Sequence, residues 1–101
     1  MQQKTRVYLR HFTVYYCLND DATPRMGVIV SKRVSKRAVV RNRIKRQVRE
    51  WFRLNQHKVS GLRVVIIANK SAEIAPNAEL QICLNQLLKK LVTELASLSL
   101  V

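Results

Sequence analysis

Arg37, Arg41, Lys45, Arg49 and Arg53 recur at four-residue intervals, and Arg43 and Arg46 fill the spaces beside them. The chemistry open to such a row is phosphate binding. Guanidinium and ammonium groups neutralise anionic oxygens through charge-assisted hydrogen bonds, and at neutral pH they keep their protons. In the wider segment the basic residues are Lys32, Arg33, Lys36, Arg37, Arg41, Arg43, Lys45, Arg46, Arg49 and Arg53, more than half of the chain's 19, against one acid, Glu50. Like charges four apart on a helix repel by about 0.2–0.5 kcal/mol per pair. A helix that needed only to be solvated would intersperse acids, so this one points to a polyanionic partner.

Proton-transfer chemistry finds no comparable constellation. His11 falls in a strand and His57 in a loop, with no pattern joining them as an acid and base pair. The acids Asp20, Asp21, Glu50, Glu73, Glu79 and Glu94 are scattered, and the adjacent Asp20 and Asp21 sit in a Pro-containing turn where acids serve as turn formers. No catalytic residue and no protein metal site is expected. Cys17 and Cys83 are isolated, without the spacing of a metal site or a disulfide framework, which fits a reducing cytoplasm.

The elements that must position the basic row follow from periodicity. From about Ser35, Val40, Ile44, Val48, Trp51 and Phe52 recur at helical spacing and form a stripe that faces a core. Ser35 is the predicted N-cap, and the helix should end near Leu54. Residues Arg6 to Leu18 read as one strand, with Phe12, Val14, Tyr16 and Leu18 on the apolar parity and His11, Thr13, Tyr15 and Cys17 on the wetter one. Phe12 belongs to the core; Tyr15 is equally suited to sheet packing or to a binding face. Asn19 to Pro24 is turn chemistry, and Met26 to Val30 completes an expected hairpin. Gly61 closes the loop after the basic helix, and Leu62 to Ala68 reads as a central strand buried on both faces. Pro76 or Asn77 opens a second helix whose Leu80, Leu84, Leu87, Leu88, Leu91 and Leu95 face inward. The predicted order is β-β-α-β-α, an α+β domain with helices packed on a small sheet.

A chain of 101 residues with 48% hydrophobic content supports one folded domain spanning residues 1–101. The net charge of +13 and pI near 10.8 favour RNA, DNA or an anionic membrane surface as partner. The first residues lack the apolar core of a signal peptide, and Lys89, Lys90 and Glu94 interrupt the leucine-rich tail, so no membrane span is expected.

The segment Ala38, Val39, Arg41, Asn42, Arg43, Lys45 and Arg46 supplies an Ala-Val-x-Arg-Asn-Arg-x-Lys-Arg core that resembles the signature of the bacterial ribonuclease P protein-subunit family. Upstream, Arg25 to Val34 is similar to the family's second strand with its Ser-Lys-basic turn, and Arg10 to Tyr15 to its first strand. The resemblance covers about residues 5 to 91. It implies a ribosomal protein S5 domain 2-like fold, with a left-handed crossover through the basic helix where right-handed ones prevail. It also implies a non-catalytic subunit of an endoribonuclease that removes the 5′ leader from precursor tRNA, with the hydrolytic active site on the RNA.

Carried over by position, Lys32, Arg33, Lys36, Arg37, Arg41, Asn42, Arg43, Lys45, Arg46 and Arg49 would bind the catalytic RNA. Thr13, Tyr15 and Ile29 would lie in a cleft for the single-stranded leader. Mg²⁺ is implied for the holoenzyme, bound mainly by RNA, with a cytoplasmic location and neither membrane nor DNA as partner. Family members begin with a further basic segment and a helix whose aromatic side chains help to close the leader cleft. This chain starts almost directly at the first strand, either as a piece of a longer protein or as a short variant, and in either case one wall of the cleft is expected to be missing. Two other readings of the basic helix are a structural RNA-binding protein such as a ribosomal component, with no leader preference, and a DNA-binding regulator. No turn-helix partner precedes the helix for the latter.

Overall fold

The computed structural model describes residues 5–18 and 25–99. Four strands, β1 (Thr5–Tyr8), β2 (Phe12–Leu18), β3 (Arg25–Ile29) and β4 (Leu62–Ala68), form one sheet in the order β1-β2-β4-β3. Helix α1 (Ala38–Asn55) connects β3 to β4, and helix α2 (Asn77–Ser99) follows β4. The β1–β2 and β2–β4 pairs are antiparallel, whereas β3 and β4 are parallel, with α1 as their crossover. The turn of Asn19 to Pro24 and the tail beyond Ser99 lie outside the described residues.

Several expectations are corrected. The run from Arg6 to Leu18 is two strands, because the Leu9 amide donates to the Phe12 carbonyl at 2.8 Å and turns the chain. Asn69, just past β4, pins that turn: its backbone N–H donates to the His11 carbonyl at 2.8 Å and its side-chain amide to the Leu9 carbonyl at 3.3 Å. The order therefore becomes β-β-β-α-β-α. β2 and β3 are not a hairpin, since β4 is inserted between them.

β4 is central, as read, but only Leu62, Val64, Ile66 and Ala68 are buried. Arg63, Val65 and Ile67 face the side of the sheet that no helix covers among the described residues. His11, read as wetter, is buried in the β1–β2 turn.

Both helices pack on the other side. Phe12, Val14, Tyr16, Val64 and Ile66 join Ile44, Val48 and Trp51 of α1 and Leu80, Leu84, Leu87 and Leu91 of α2 in one core. Each fully buried Leu, Ile or Val contributes about 1.5–3 kcal/mol, so the α1 stripe is held firmly. Val40, Phe52, Leu88 and Leu95 are half-buried at its margins. Helix α1 starts three residues after Ser35, and Arg37 at the N-cap position makes no side-chain cap. Ser35 is instead buried in the preceding loop, its hydroxyl accepting from the Arg37 amide at 3.2 Å. Gly61, with φ of 88°, makes the turn into β4 in a conformation that L side chains disfavour.

Candidate nucleic-acid interfaces

Burying Ile44, Val48 and Trp51 turns the opposite face of α1 outward. Asn42, Arg46, Arg49 and Arg53 fall on one stripe there and, with Glu50, line a concave surface of about 400 Å³. Glu50 is engaged by Arg53, whose Nε donates to its carboxylate at 3.2 Å and whose Nη2 donates to the other oxygen. That hydrogen bond holds the Glu50 carboxyl below its ordinary range, so the acid stays ionised and neutralises Arg53. Arg46 and Arg49 are left as the exposed cations at the centre of the stripe. Lys32, Arg33, Lys36 and Arg37 are exposed on the loop leading into α1, and Lys45 is half-buried on its flank.

Arg41 and Arg43 have a different environment. Arg41 Nη1 donates to the carbonyls of Ser35 and Lys36, both at 3.0 Å. Arg43 Nη1 donates to the Ala75 carbonyl at 3.0 Å and to Asn77 Oδ1 at 2.7 Å, and its Nη2 to the Glu73 carbonyl at 3.3 Å.

A second surface is the uncovered face of the sheet, where register sets the rows. Tyr8, Thr13, Ile67 and Ile29 lie across the strands in one row, and Arg6, Tyr15, Val65 and Gly27 in the next. Cys17, Arg63 and Arg25 form a third. Thr13, Tyr15 and Ile29 thus share a face, although Ile67 separates Thr13 from Ile29.

The Arg6 guanidinium lies 4.9 Å from the Tyr8 ring centre and 5.7 Å from that of Tyr15, and its Nη1 donates to Tyr15 Oη at 3.3 Å. Chiefly through that bond, the two tyrosines raise the pKa of Arg6. Thr13 Oγ1 donates to Asn69 Oδ1 at 2.9 Å, which fixes its rotamer. A side chain at Gly27 would meet nothing within 4 Å, so the row beside Tyr15 and Val65 stays open. A hollow of about 70 Å³ lies between Tyr15, Tyr16, Cys17, Arg63 and Val65.

Arg6, Tyr8, Arg63, Val65 and Ile67 were not singled out from the sequence. Arg63 carried a legible signal, a lone cation inside the apolar run Leu62 to Ala68.

The histidines are apart in role. His57 is exposed in the turn after α1, whereas His11 is buried with Nδ1 at 2.8 Å from Ser71 Oγ and Nε2 at 3.4 Å from Glu79. Among the described residues no group of three or more His, Cys, Asp or Glu is placed to hold a metal ion. Neither described helix is long and apolar enough to cross a membrane.

A four-stranded α+β domain with a cationic helix on one side and an open aromatic sheet face on the other has the architecture of a small RNA-binding protein. The comparisons give the family. Residues 1–92 match the sequence profile described as Ribonuclease P, and the chain belongs to the ribonuclease P protein family. It is 51% identical over 81 residues to the ribonuclease P protein component of Idiomarina loihiensis, covering 80% of this chain and 65% of that protein. The chain thus spans just under two thirds of that relative's length. It is 46% identical over 79 residues to the protein component of Vibrio campbellii, covering 78% of this chain and 67% of that one. Among solved structures, the Staphylococcus aureus RNase P protein superposes with a TM-score of 0.78 at 34% identity, over 85% of this chain and 79% of that one. The Thermotoga maritima protein does so with a TM-score of 0.77 at 27% identity, over 87% and 84%.

Proposed function

We propose that this chain acts as the protein subunit of a bacterial ribonuclease P, binding the catalytic RNA through α1 and the 5′ leader of precursor tRNA through the open sheet face. The observation that carries the reading is the stripe of Asn42, Arg46 and Arg49, exposed on a helix whose other side is sealed into the core. Such a stripe presents charge and hydrogen-bond donors to phosphates without drawing on the residues that hold the core. Lys45 and the loop cations Lys32, Arg33, Lys36 and Arg37 extend it, and Arg41 and Arg43 belong to the same segment.

On the sheet, Tyr15 offers a ring for an unstacked base, Thr13 Oγ1 an acceptor, and Ile29 an apolar edge that is 50% exposed. A flat aromatic and apolar face with cations at its margins binds single-stranded RNA without demanding a sequence. In this reading the protein supplies no proton-transfer group: hydrolysis belongs to the RNA, which also holds the Mg²⁺, and the assembly works in the cytoplasm. The protein's contribution is to neutralise phosphates so that two RNAs can approach, and to favour precursor over mature tRNA by gripping the leader.

The test is cleavage of a precursor tRNA at low Mg²⁺ by a bacterial ribonuclease P RNA, with and without the chain. Restored 5′ cleavage supports the reading. Tight binding of the RNA with no gain in cleavage and no preference for a leader would transfer the protein to the class of structural RNA binders. Affinity for the RNA should also fall by about 10³–10⁵ between about 50 and 200 mM salt if about six to ten phosphates are contacted.

A further inference from the structure

Successive residues on a helix are about 100° apart, so Arg41 and Arg43 lie about 200° apart on opposite flanks of α1, with Asn42 outward between them. Both guanidinium groups turn away from the outer stripe and close on backbone carbonyls. Arg41 Nη1 holds the carbonyls of Ser35 and Lys36, at the end of the loop before α1. Arg43 holds those of Glu73 and Ala75, together with Asn77 Oδ1, at the start of α2.

The two brackets are also tied to each other. Lys70 Nζ donates to the Val34 carbonyl at 3.2 Å and to the Glu73 carboxylate at 2.8 Å. That carboxyl lies below its ordinary range, first through Lys70 and next through a hydrogen bond from Ser35. The loop before α1, the first turns of α1 and the linker before α2 therefore form one cross-braced block. Lys32, Arg33, Lys36 and Arg37 ride on that block.

We infer that Arg41 and Arg43 are positioning residues, which fix the loop cations and the angle of α1 by bracketing carbonyls, while Asn42, Arg46 and Arg49 make the phosphate contacts. The inference rests on reading α1 as the RNA-binding face, and it divides that face into residues that touch RNA and residues that aim them. Arginine suits the bracket because its planar fork reaches several acceptors at once, which the point charge of lysine does not reproduce.

The experiment measures dissociation constants of the full chain for a bacterial ribonuclease P RNA across a salt series, with thermal unfolding of each variant. Arg46→Ala and Arg49→Ala should each lower the slope of log affinity against log salt by about one. Arg46→Lys, which keeps the charge, should restore that slope. Arg43→Lys should instead bind as weakly as Arg43→Ala, with the wild-type slope kept in both and a lowered Tm. Asn77→Ala removes one acceptor of the bracket without touching a cation. It should weaken RNA binding in the wild-type background and cause no further loss beside Arg43→Lys. The assignment is overturned if Arg43→Lys binds like wild type while Arg43→Ala loses a unit of slope, or if Asn77→Ala leaves affinity unchanged. A wild-type chain with no salt-dependent affinity for the RNA overturns the underlying reading of α1. In that case the coupling of Arg43→Lys and Asn77→Ala in thermal unfolding still tests the bracket by itself.

Discussion

The outer face of α1 and the open face of the sheet both carry cations, yet they are suited to different parts of a nucleic acid. On α1, Arg46 and Arg49 are exposed on a helix fixed from below by Ile44, Val48 and Trp51. On the sheet, Arg6 is stacked against Tyr8 and Tyr15, and Val65, Ile67 and Ile29 supply a flat apolar surface around the gap at Gly27. Under the proposed function the first arrangement is suited to backbone, and such binding is strong, blind to sequence and sensitive to salt. The second offers rings to unpaired bases and should depend far less on ionic strength. One small domain can thereby hold a folded RNA and a single strand on separate surfaces.

The largest effect that would sharpen this contrast is expected from Arg46→Ala combined with Arg49→Ala. At physiological salt each lost phosphate contact costs about fivefold in affinity, so the pair should weaken catalytic-RNA binding by about 25-fold and lower the salt slope by about two. Filter binding over a salt series measures both quantities, and an unchanged slope would break the comparison. Next in size is Tyr15→Ala. It should lower the preference for leader-bearing over leaderless tRNA by about tenfold, within the ~1–3 kcal/mol per base that aromatic stacking supplies. Affinity for the catalytic RNA and its salt slope should not move; a joint loss would mean that the two faces act as one.

The smallest effect concerns pH. The Glu73 carboxyl is held below its ordinary range by Lys70 and Ser35, so it binds its proton less readily in the folded than in the unfolded chain. Its stabilising contribution is present above the unfolded pKa of about 4.3 and is lost as pH falls through the lower folded value. The Tm difference between wild type and Glu73→Gln should therefore hold steady down to about pH 5 and shrink below about pH 4. Calorimetry over that range checks it, and a difference that grew on acidification would contradict the cause assigned to Glu73.

The helices were legible because their apolar spacing is local: Ile44, Val48 and Trp51, and Leu80, Leu84, Leu87 and Leu91, are buried as the period requires. The sheet was legible in its strands and less so in its pairing. The break at Leu9 to His11 depends on Asn69, far along the chain, and no local pattern announces it. Val65 and Ile67 read as buried because runs of Val and Ile usually are, but no helix covers that face among the described residues. The basic residues of α1 were all visible as a set. What separates Arg46 from Arg43 is the position of the Glu73 and Ala75 carbonyls, which only the packing of α2 against α1 provides.

The place of β4 has a consequence for how the chain comes into being. It is the last of the four described strands to be synthesised and it lies between β2 and β3 in the sheet, so strand order and synthesis order disagree. Until it emerges, β1 and β2 can pair, but β3 has no neighbour, and Phe12 must wait for Ala68. The basic segment is thus complete, and exposed to any passing polyanion, before the domain can close. Closure then depends on contacts distant in sequence, the kind that makes folding slow for a protein of this size. A polyanion that neutralises the segment early would relieve the mutual repulsion of its cations.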